Sequence, residues 1–418
     1  MQKNKIRKMI LVAGARPNFM KIAPIVRAIH QRNSSCLSRS ESVRGEMRSL
    51  FHRDQKNQRN QINYKLVHTG QHYDYEMSQA FLDDLEINRP EYFLGVGSES
   101  HAVQTAKIMT AFEEVCLKEQ PDIVVVVGDV NSTMACAIVA AKLCIPVAHV
   151  EAGLRSRDLT MPEEINRILT DTISDYLFTS CEDANKNLKN EGISKEKVYF
   201  VGNVMIDTLL RFKAKAEKSG RIKIAEKDYA LLTLHRPNNV DDRKNFKNIL
   251  VALREVSKRT PILFPAHPRT QKQIKAFGYE KYFNLLELHS KNPINPKNSI
   301  NLSGPLSYLE FLNLMANSKL VYTDSGGIQE ETTILGIPCL TLRENTERPI
   351  TITEGTNTLV GSDREKILKE SYRILNGNGK KGKIPKLWDG KASERIVNIL
   401  LGRPYEPFSP ELNSKDKV

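Results

Sequence analysis

The sequence predicts an α/β protein built from two Rossmann-like, doubly wound domains that face each other across a cleft. Strand-like apolar runs alternate with longer amphipathic segments along nearly the whole chain, the pattern of parallel sheets covered by helices. The 418 residues exceed what one ordinary core organises and suggest two or three domains. Carboxylates and glycine turns follow several of the strand-like runs, where α/β proteins keep their ligand sites.

In chain order, the first half reads "KMILVAG" as strand, "FMKIAPIVRAIHQ" as helix, "YKLVHTG" as strand and "AVQTAKIMTAFEEVCLKEQ" as helix. It continues with "DIVVVVGD" as strand, "STMACAIVAAKLC" as helix, "PVAHVEAG" as strand, "NRILTDTISD" as helix and "YLFTS" as strand. The second half resumes the alternation with "YALLTLH", "FKNILVALREVSKR", "PILFPAH", "YLEFLNLMANS", "LVYTDSGG", "IQEETTILG", "PCLTLR" and "EKILKESYRIL". A break near "YFVGNVMIDTLLRFKAKAEKSGRIK" gives domains at 1–203 and 204–393, with "SERIVNILLGRPYEPF" in 394–418 as a helix crossing back to the first. Residues 32–62 interrupt a helix-to-strand connection that usually takes a handful of residues. Their Ser/Arg/Gln/Asn-rich composition predicts a mobile insertion.

No window holds about 18 uninterrupted apolar residues, so no membrane span is expected. The opening "MQKNKIRKMILVAGARP" has basic residues ahead of an apolar run, but "MILVA" is too short for a secretory core and reads as a first buried strand. Six scattered cysteines without CxxC spacing point to reduced thiols, a cytoplasmic setting and no structural zinc. The net charge of +13 would permit a nucleic-acid partner, yet residues 1–8 and 32–59 each contribute +4, so much of the excess is peripheral and none is expected.

Five stretches carry candidate chemistry. In "GARPNFMK", the backbone amides with Arg16 and Lys21 are an anion site or simply a strand-to-helix turn. In "TDSGGIQEET", Ser325, Gly326 and Gly327 open a helix where a diphosphate could lie, and Glu331 could accept ribose hydroxyls. The alternative there is a glycine-rich helix start with a solvated acidic turn. "VVVVGDVNST" puts Asp129 after a buried strand, as an acid or a turn residue, with Ser132 or Thr133 placed to cap the next helix. "LLTLHRPNNVDD" places His235 and Arg236 at a strand end, whereas His267 in "FPAHPRT" reads as structural. "HVEAGLRSRDLTMPEEINR" sets Glu151, Asp158, Glu163 and Glu164 just beyond a strand, as a solvated loop or as acids and bases. No metal-site, Walker or nucleophile-elbow spacing occurs. The residues alone therefore support a two-domain α/β protein with a phosphate-binding interdomain cleft and several candidate acids.

With "GARPNFMKIAP", "TGQHYD", "GDVNST", "HVEAGLRS", "PEEINR", "GNVMIDTL", "SGGIQEE", "ENTERP" and "GTNTLVG" in order, the chain resembles the non-hydrolysing UDP-N-acetylglucosamine 2-epimerases everywhere except residues 32–62 and the tails. The resemblance implies a GT-B arrangement of the two domains, a homodimer, and reversible conversion of UDP-GlcNAc to UDP-ManNAc by elimination and re-addition of UDP. It implies no metal or redox cofactor. By motif, Asp129, Glu151 and Glu163 match the acid/base carboxylates and His235 the histidine that helps UDP depart. Arg16 and Lys21 match contacts to diphosphate or sugar, Ser325, Gly326 and Gly327 the phosphate cradle, Glu331 the ribose acceptor, Arg348 a second cation and Phe311 a face for uracil. In parts of that family Gln71 and His72 belong to a second, activating UDP-GlcNAc site. Departures are His235-Arg236-Pro237-Asn238 where many relatives read His-Arg-Arg-Glu, and Asn18 where some carry an acid. The alternatives are a related UDP-2-acetamido sugar, a hydrolysing epimerase, a GT-B glycosyltransferase and a UDP-sugar sensor.

Overall fold

The computed structural model describes residues 6–41, 61–70, 82–219, 222, 224, 228–288, 296 and 298–403. Its strands form two seven-stranded sheets in which every pairing is parallel. The first takes β1 (Lys8–Ala13), β2 (Asn63–His68), β3 (Tyr92–Phe93), β4 (Ile123–Val127), β5 (Val147–Ala152), β6 (Tyr176–Thr179) and β7 (Val198–Phe200) in the order β3-β2-β1-β4-β5-β6-β7. The second takes β8 (Ala230–Thr233), β9 (Ile262–Pro265), β10 (Phe283–Leu285), β11 (Ile300–Ser303), β12 (Leu320–Thr323), β13 (Cys339–Thr341) and β14 (Asn357–Leu359) in the order β10-β11-β9-β8-β12-β13-β14. Helices on both faces bury the central strands completely, which is why β4 can read Ile-Val-Val-Val-Val without a polar residue.

In the first half, α1 (Arg16–Glu41), α2 (His101–Glu119), α3 (Asn131–Lys142), α4 (Pro162–Ile173), α5 (Glu182–Asn190) and α6 (Val204–Ser219) cover the sheet. The second half contributes α7 (Pro237–Val240), α8 (Arg243–Val256), α9 (Pro268–Phe277), α10 (Tyr308–Ala316), α11 (Gly326–Leu335), α12 (Ile350–Thr353), α13 (Arg364–Arg373) and α14 (Ala392–Leu400). Strand order reverses between β1 and β4 in one sheet and between β8 and β12 in the other. Ligands of doubly wound folds lie outside the carboxyl ends of strands at such switch points, and the candidate residues follow these same strands.

The two sheets share apolar packing. α6 lies against α1, α10, α11 and α14, and one buried cluster runs from Phe19 and Ile206 to Leu309 and Ile350. Asp207 on α6 accepts the backbone N–H groups of Ala392 (3.1 Å) and Ser393 (2.7 Å), capping α14, while the buried Trp388 indole donates to the Ser180 carbonyl at 2.9 Å. The last helix therefore packs on elements of the first half.

The fold corrects several expectations. Residues 32–41, read as the start of a mobile insertion, continue α1 to Glu41. Ile22, Ala23, Ile25, Val26 and Ile29 are buried, so the helix is already nucleated and each added serine costs only a weak propensity penalty. Asn33 then exchanges two 3.0 Å hydrogen bonds with the Ile62 backbone, fixing the entry to β2. Residues 42–60 lie outside the described residues. Glu163, expected on a loop, occupies the first turn of α4, where Pro162 presets the backbone and acidic residues suit the helix N-terminus. β3, β10 and β14 span only two or three residues, too few for a readable period.

Candidate functional site

At the end of β1, Asn18 organises the turn. Its Oδ1 accepts the N–H groups of Gly14 (3.0 Å) and Ala15 (2.8 Å), and its Nδ2 donates to the Val127 carbonyl (2.9 Å), tying β1 to β4. Those two amides are thus spent internally, which corrects their assignment to an anion. Lys21, a turn further along α1, is buried and pairs instead with Glu151. Gly128 makes room for it: its φ is +69°, and a Cβ there would lie 2.8 Å from Lys21 Nζ.

Glu151, the penultimate residue of β5, sits at a register shift between Val150 and Ala152 and has a φ of +75°. A non-glycine residue in that region costs about 1–3 kcal/mol unless its surroundings hold it there. They do: its buried carboxylate lies between Lys21 and Arg348, with Arg348 Nη2 at 2.5 Å. Asp129, the second residue after β4, pairs with the buried guanidinium of Arg167. Burial pushes the Asp129 carboxyl up, but Arg167, Lys21 and Arg348 together hold it below the usual range. Ser132 and Thr133, expected as caps of α3, bond to the Thr69 hydroxyl and the Val127 carbonyl instead.

α4 brings the remaining acids. Glu164 is buried, accepts the N–H groups of Ser156 (2.9 Å) and Arg157 (2.8 Å), and pairs with Arg167 at 2.7 Å, so it closes the loop after β5. Glu163 is half-buried one position earlier, outside this ion-pair cluster but on the helix whose Arg167 and Asn166 hold Asp129. Asp158 accepts from Thr160 in the same loop.

From the second sheet, His235 follows β8 and Asp324 follows β12. Asp324 is fully buried; it lies 3.0 Å from His235 Nδ1 and accepts the backbone N–H groups of His235 and Arg236. Burial would raise the Asp324 carboxyl, but His235 and these donors hold it low, and the half-exposed imidazole is oriented as a result. Ser325 precedes α11 as its N-cap, its own N–H donating to Thr323 Oγ1 at 2.9 Å. Gly326 packs against a charged wall, since a Cβ would sit 2.3 Å from Arg348 Nη1 and 2.7 Å from Glu347 Oε1; at Gly327 the nearest atom is Met205 Cε at 3.6 Å.

Arg348 joins the two edges. Buried, it contacts Glu151, Glu347 at 2.5 Å and Glu330 at 2.8 Å. Burial disfavours its charge, yet these carboxylates hold its pKa well above the ordinary value. Glu347 also pairs with Arg343 (2.8 Å) and lies 3.6 Å from Arg236. Glu330 is pushed up to about 7 by burial, with the Glu151 charge adding to it. Glu331 is pushed up to about 8 by burial, opposed by the Tyr308 hydroxyl that donates to it at 3.1 Å.

The structure therefore unites Lys21, Asp129, Glu151, Gly326 and Arg348 in one cluster and links His235 to it through Arg236 and Glu347. Arg16 is exposed at the start of α1, within reach of the Asp84 charge, and Phe311 is half-buried on α10 against the shared core. Gln71 and His72 lie outside the described residues. His267 caps α9, as its structural reading expected. Sequence reasoning passed over Arg167, Asp324, Glu330 and Glu347. Arg167 and Glu347 lie inside the quoted "PEEINR" and "ENTERP", but the contacts that tie them to the candidate residues, to Asp129 and to Arg236, reach far along the chain.

Carboxylates from one sheet edge meeting cations and a glycine-opened helix from the other, on two parallel doubly wound sheets, define an α/β enzyme of GT-B type. Residues 54–401 match the model of the UDP-N-acetylglucosamine 2-epimerase family. The chain is 42% identical to the UDP-N-acetylglucosamine 2-epimerase of Methanocaldococcus jannaschii over 95% of its own length and 100% of that protein. A crystal structure of that enzyme with UDP-GlcNAc and UDP superposes with a TM-score of 0.78, at 41% identity, covering 94% of this chain and 99% of the other. The enzyme of Neisseria meningitidis bound to UDP-GlcNAc gives 0.76 at 29% identity, over 95% and 100%. The chain belongs to the UDP-N-acetylglucosamine 2-epimerase family, a family of isomerases. Among the described residues no helix is long and apolar enough to cross a membrane, and Cys116, Cys136, Cys144, Cys181 and Cys339 are free thiols.

Proposed function

We propose that the protein interconverts UDP-GlcNAc and UDP-ManNAc without hydrolysis, as a cytoplasmic homodimer divided at about residue 203 into an acid/base domain and a UDP-binding domain. The observation that carries this reading is the buried contact between Glu151 of the first sheet edge and Arg348 of the second. It sets a carboxylate that can handle a proton beside a cation that can hold a diphosphate.

The chemistry requires that pairing. The C2–H of an acetamido sugar is hardly acidic, so its removal needs a positioned base while the C1–O bond breaks and its electron pair leaves with UDP. The resulting 2-acetamidoglucal takes UDP back at C1 as a proton reaches the opposite face of C2. Asp129, Glu151 and Glu163 share these proton transfers. His235, oriented by Asp324, with Lys21, Arg16 and Arg348, stabilises the departing diphosphate; Ser325, Gly326 and Gly327 cradle it. Glu331 meets the ribose and Phe311 the uracil.

A second reading concerns the sugar. The chain is 37% identical to the UDP-2,3-diacetamido-2,3-dideoxy-D-glucuronate 2-epimerase of Pseudomonas aeruginosa, over 94% of its length, so a related 2-acetamido sugar is the competing substrate. Incubation of the purified protein with UDP-GlcNAc in D₂O, followed by NMR, tests both. UDP-ManNAc deuterated at C2 is the expected result. Free ManNAc with UDP would assign a hydrolysing enzyme, and bound but unlabelled UDP-GlcNAc would point to another sugar or to a sensor.

A further inference from the structure

A second polar pair lies buried beneath the two acid-bearing turns. His149, in the middle of β5, is 0% exposed, and Asp171, on α4, is 1% exposed. His149 Nε2 is 2.8 Å from the Gly128 carbonyl, which can only accept, so Nε2 carries a proton. Its Nδ1 faces Asp171 Oδ1 at 2.7 Å. The other oxygen, Asp171 Oδ2, accepts the Gly153 N–H at 3.0 Å and lies 2.7 Å from Arg155, which Glu191 grips at 2.8 and 2.6 Å.

The connectivity gives the pair a purpose. Gly128 immediately precedes Asp129, and Gly153 stands two residues after Glu151. One imidazole and one carboxylate thus pin both turns from below, across a strand pair and a helix. A fold needing only a core could fill this wholly buried strand position with an apolar side chain, because replacing a buried ionic pair by well-packed hydrophobic residues is often neutral or stabilising. The left-handed φ of Glu151 (+75°), a non-glycine residue, shows that its turn adopts a conformation that surrounding contacts must hold, while Gly128 (+69°) reaches the same region freely because it lacks a Cβ.

We propose that His149 and Asp171 are positioning residues that fix Asp129 and Glu151 relative to one another. The role rests on the acid/base reading of those two carboxylates. Displacement of a reacting group by about 1 Å can cost about 10²-fold in rate, so loosening either turn should act on turnover and not on nucleotide affinity.

The test uses His149→Leu, His149→Gln and Asp171→Asn in the full chain, with melting, UDP affinity by calorimetry, and C2 deuteration kinetics. The expected result is folded protein with UDP affinity within about threefold of wild type, and His149→Leu slowed about 10²-fold in kcat at an unchanged KM. His149→Gln, whose amide can still donate to the Gly128 carbonyl, should recover part of that rate. A folded His149→Leu variant turning over like wild type would overturn the proposal. So would a rate loss matched by equal loss of UDP affinity or of folded protein, or failure of all three variants to fold, since each marks a purely structural pair. Wild-type protein that leaves C2 unlabelled would instead overturn the epimerase reading, and the positioning role with it.

Discussion

The carboxyl edge of the first sheet and that of the second are built from the same fold, yet they carry opposite equipment. Asp129 stands beyond β4 and Glu151 is the penultimate residue of β5, each held by cations. Beyond β12 stand Ser325, Gly326 and Gly327, and the Arg348 guanidinium packs against Gly326. On the proposed reading one edge moves protons and the other holds an anion. Arg348 is where they meet, so each edge is testable by breaking its own half of that contact.

The largest effect is expected at the acid/base edge. Asp129→Asn and Glu163→Gln should each lower C2 deuteration about 10²–10⁴-fold while UDP still binds; loss of UDP affinity in step with rate would shift these carboxylates to the binding half. Next comes the bridge. Arg348→Met leaves Glu151, Glu330 and Glu347 without their shared cation, and stranding buried charge costs about 3–5 kcal/mol. A clear fall in melting temperature should accompany loss of UDP affinity, and an unshifted melt would show that the two edges are not tied there.

The anion-holding edge gives smaller effects. Gly326→Ala forces a methyl against Arg348 and Glu347, an overpacking penalty of about 1–3 kcal/mol, whereas Gly327→Ala should stay within about 1 kcal/mol. Equal effects by chemical denaturation would contradict the asymmetry. The last effect is a slope. The Glu331 carboxyl is raised from 4.5 to about 8 by burial, so between those values the native state binds more protons than the unfolded state. Stability then falls as pH rises through that window, by at most about 1.4 kcal/mol per pH unit. Glu331→Gln should remove that slope, so wild type and variant should diverge between pH 5 and 8 and run parallel above it.

Much of this was legible. β4 announced itself because a strand buried on both faces can be apolar throughout, and Asp129, Glu151, His235 and Ser325 stood out because they lie at the ends of strand-like runs. Glu163 was found by motif but misplaced onto a loop, since nothing in "DLTMPEEINR" fixes where the helix begins except Pro162. Arg167 and Asp324 were invisible as functional residues, because a charged side chain in a helix or after a strand reads as solvated until its partner is known.

The sequence by itself determined the alternation of strands and helices, the strand ends at which chemistry could occur and the family pattern, because period and motif are local properties of the chain. Only the tertiary structure decided that Lys21 and Arg348 share one carboxylate, that Asn18 ties β1 to the Val127 carbonyl of β4 and that Asp171 reaches both acid-bearing turns. Those facts depend on groups tens to hundreds of residues apart, and the ionisation of buried groups follows from which charges packing brings within a few ångströms.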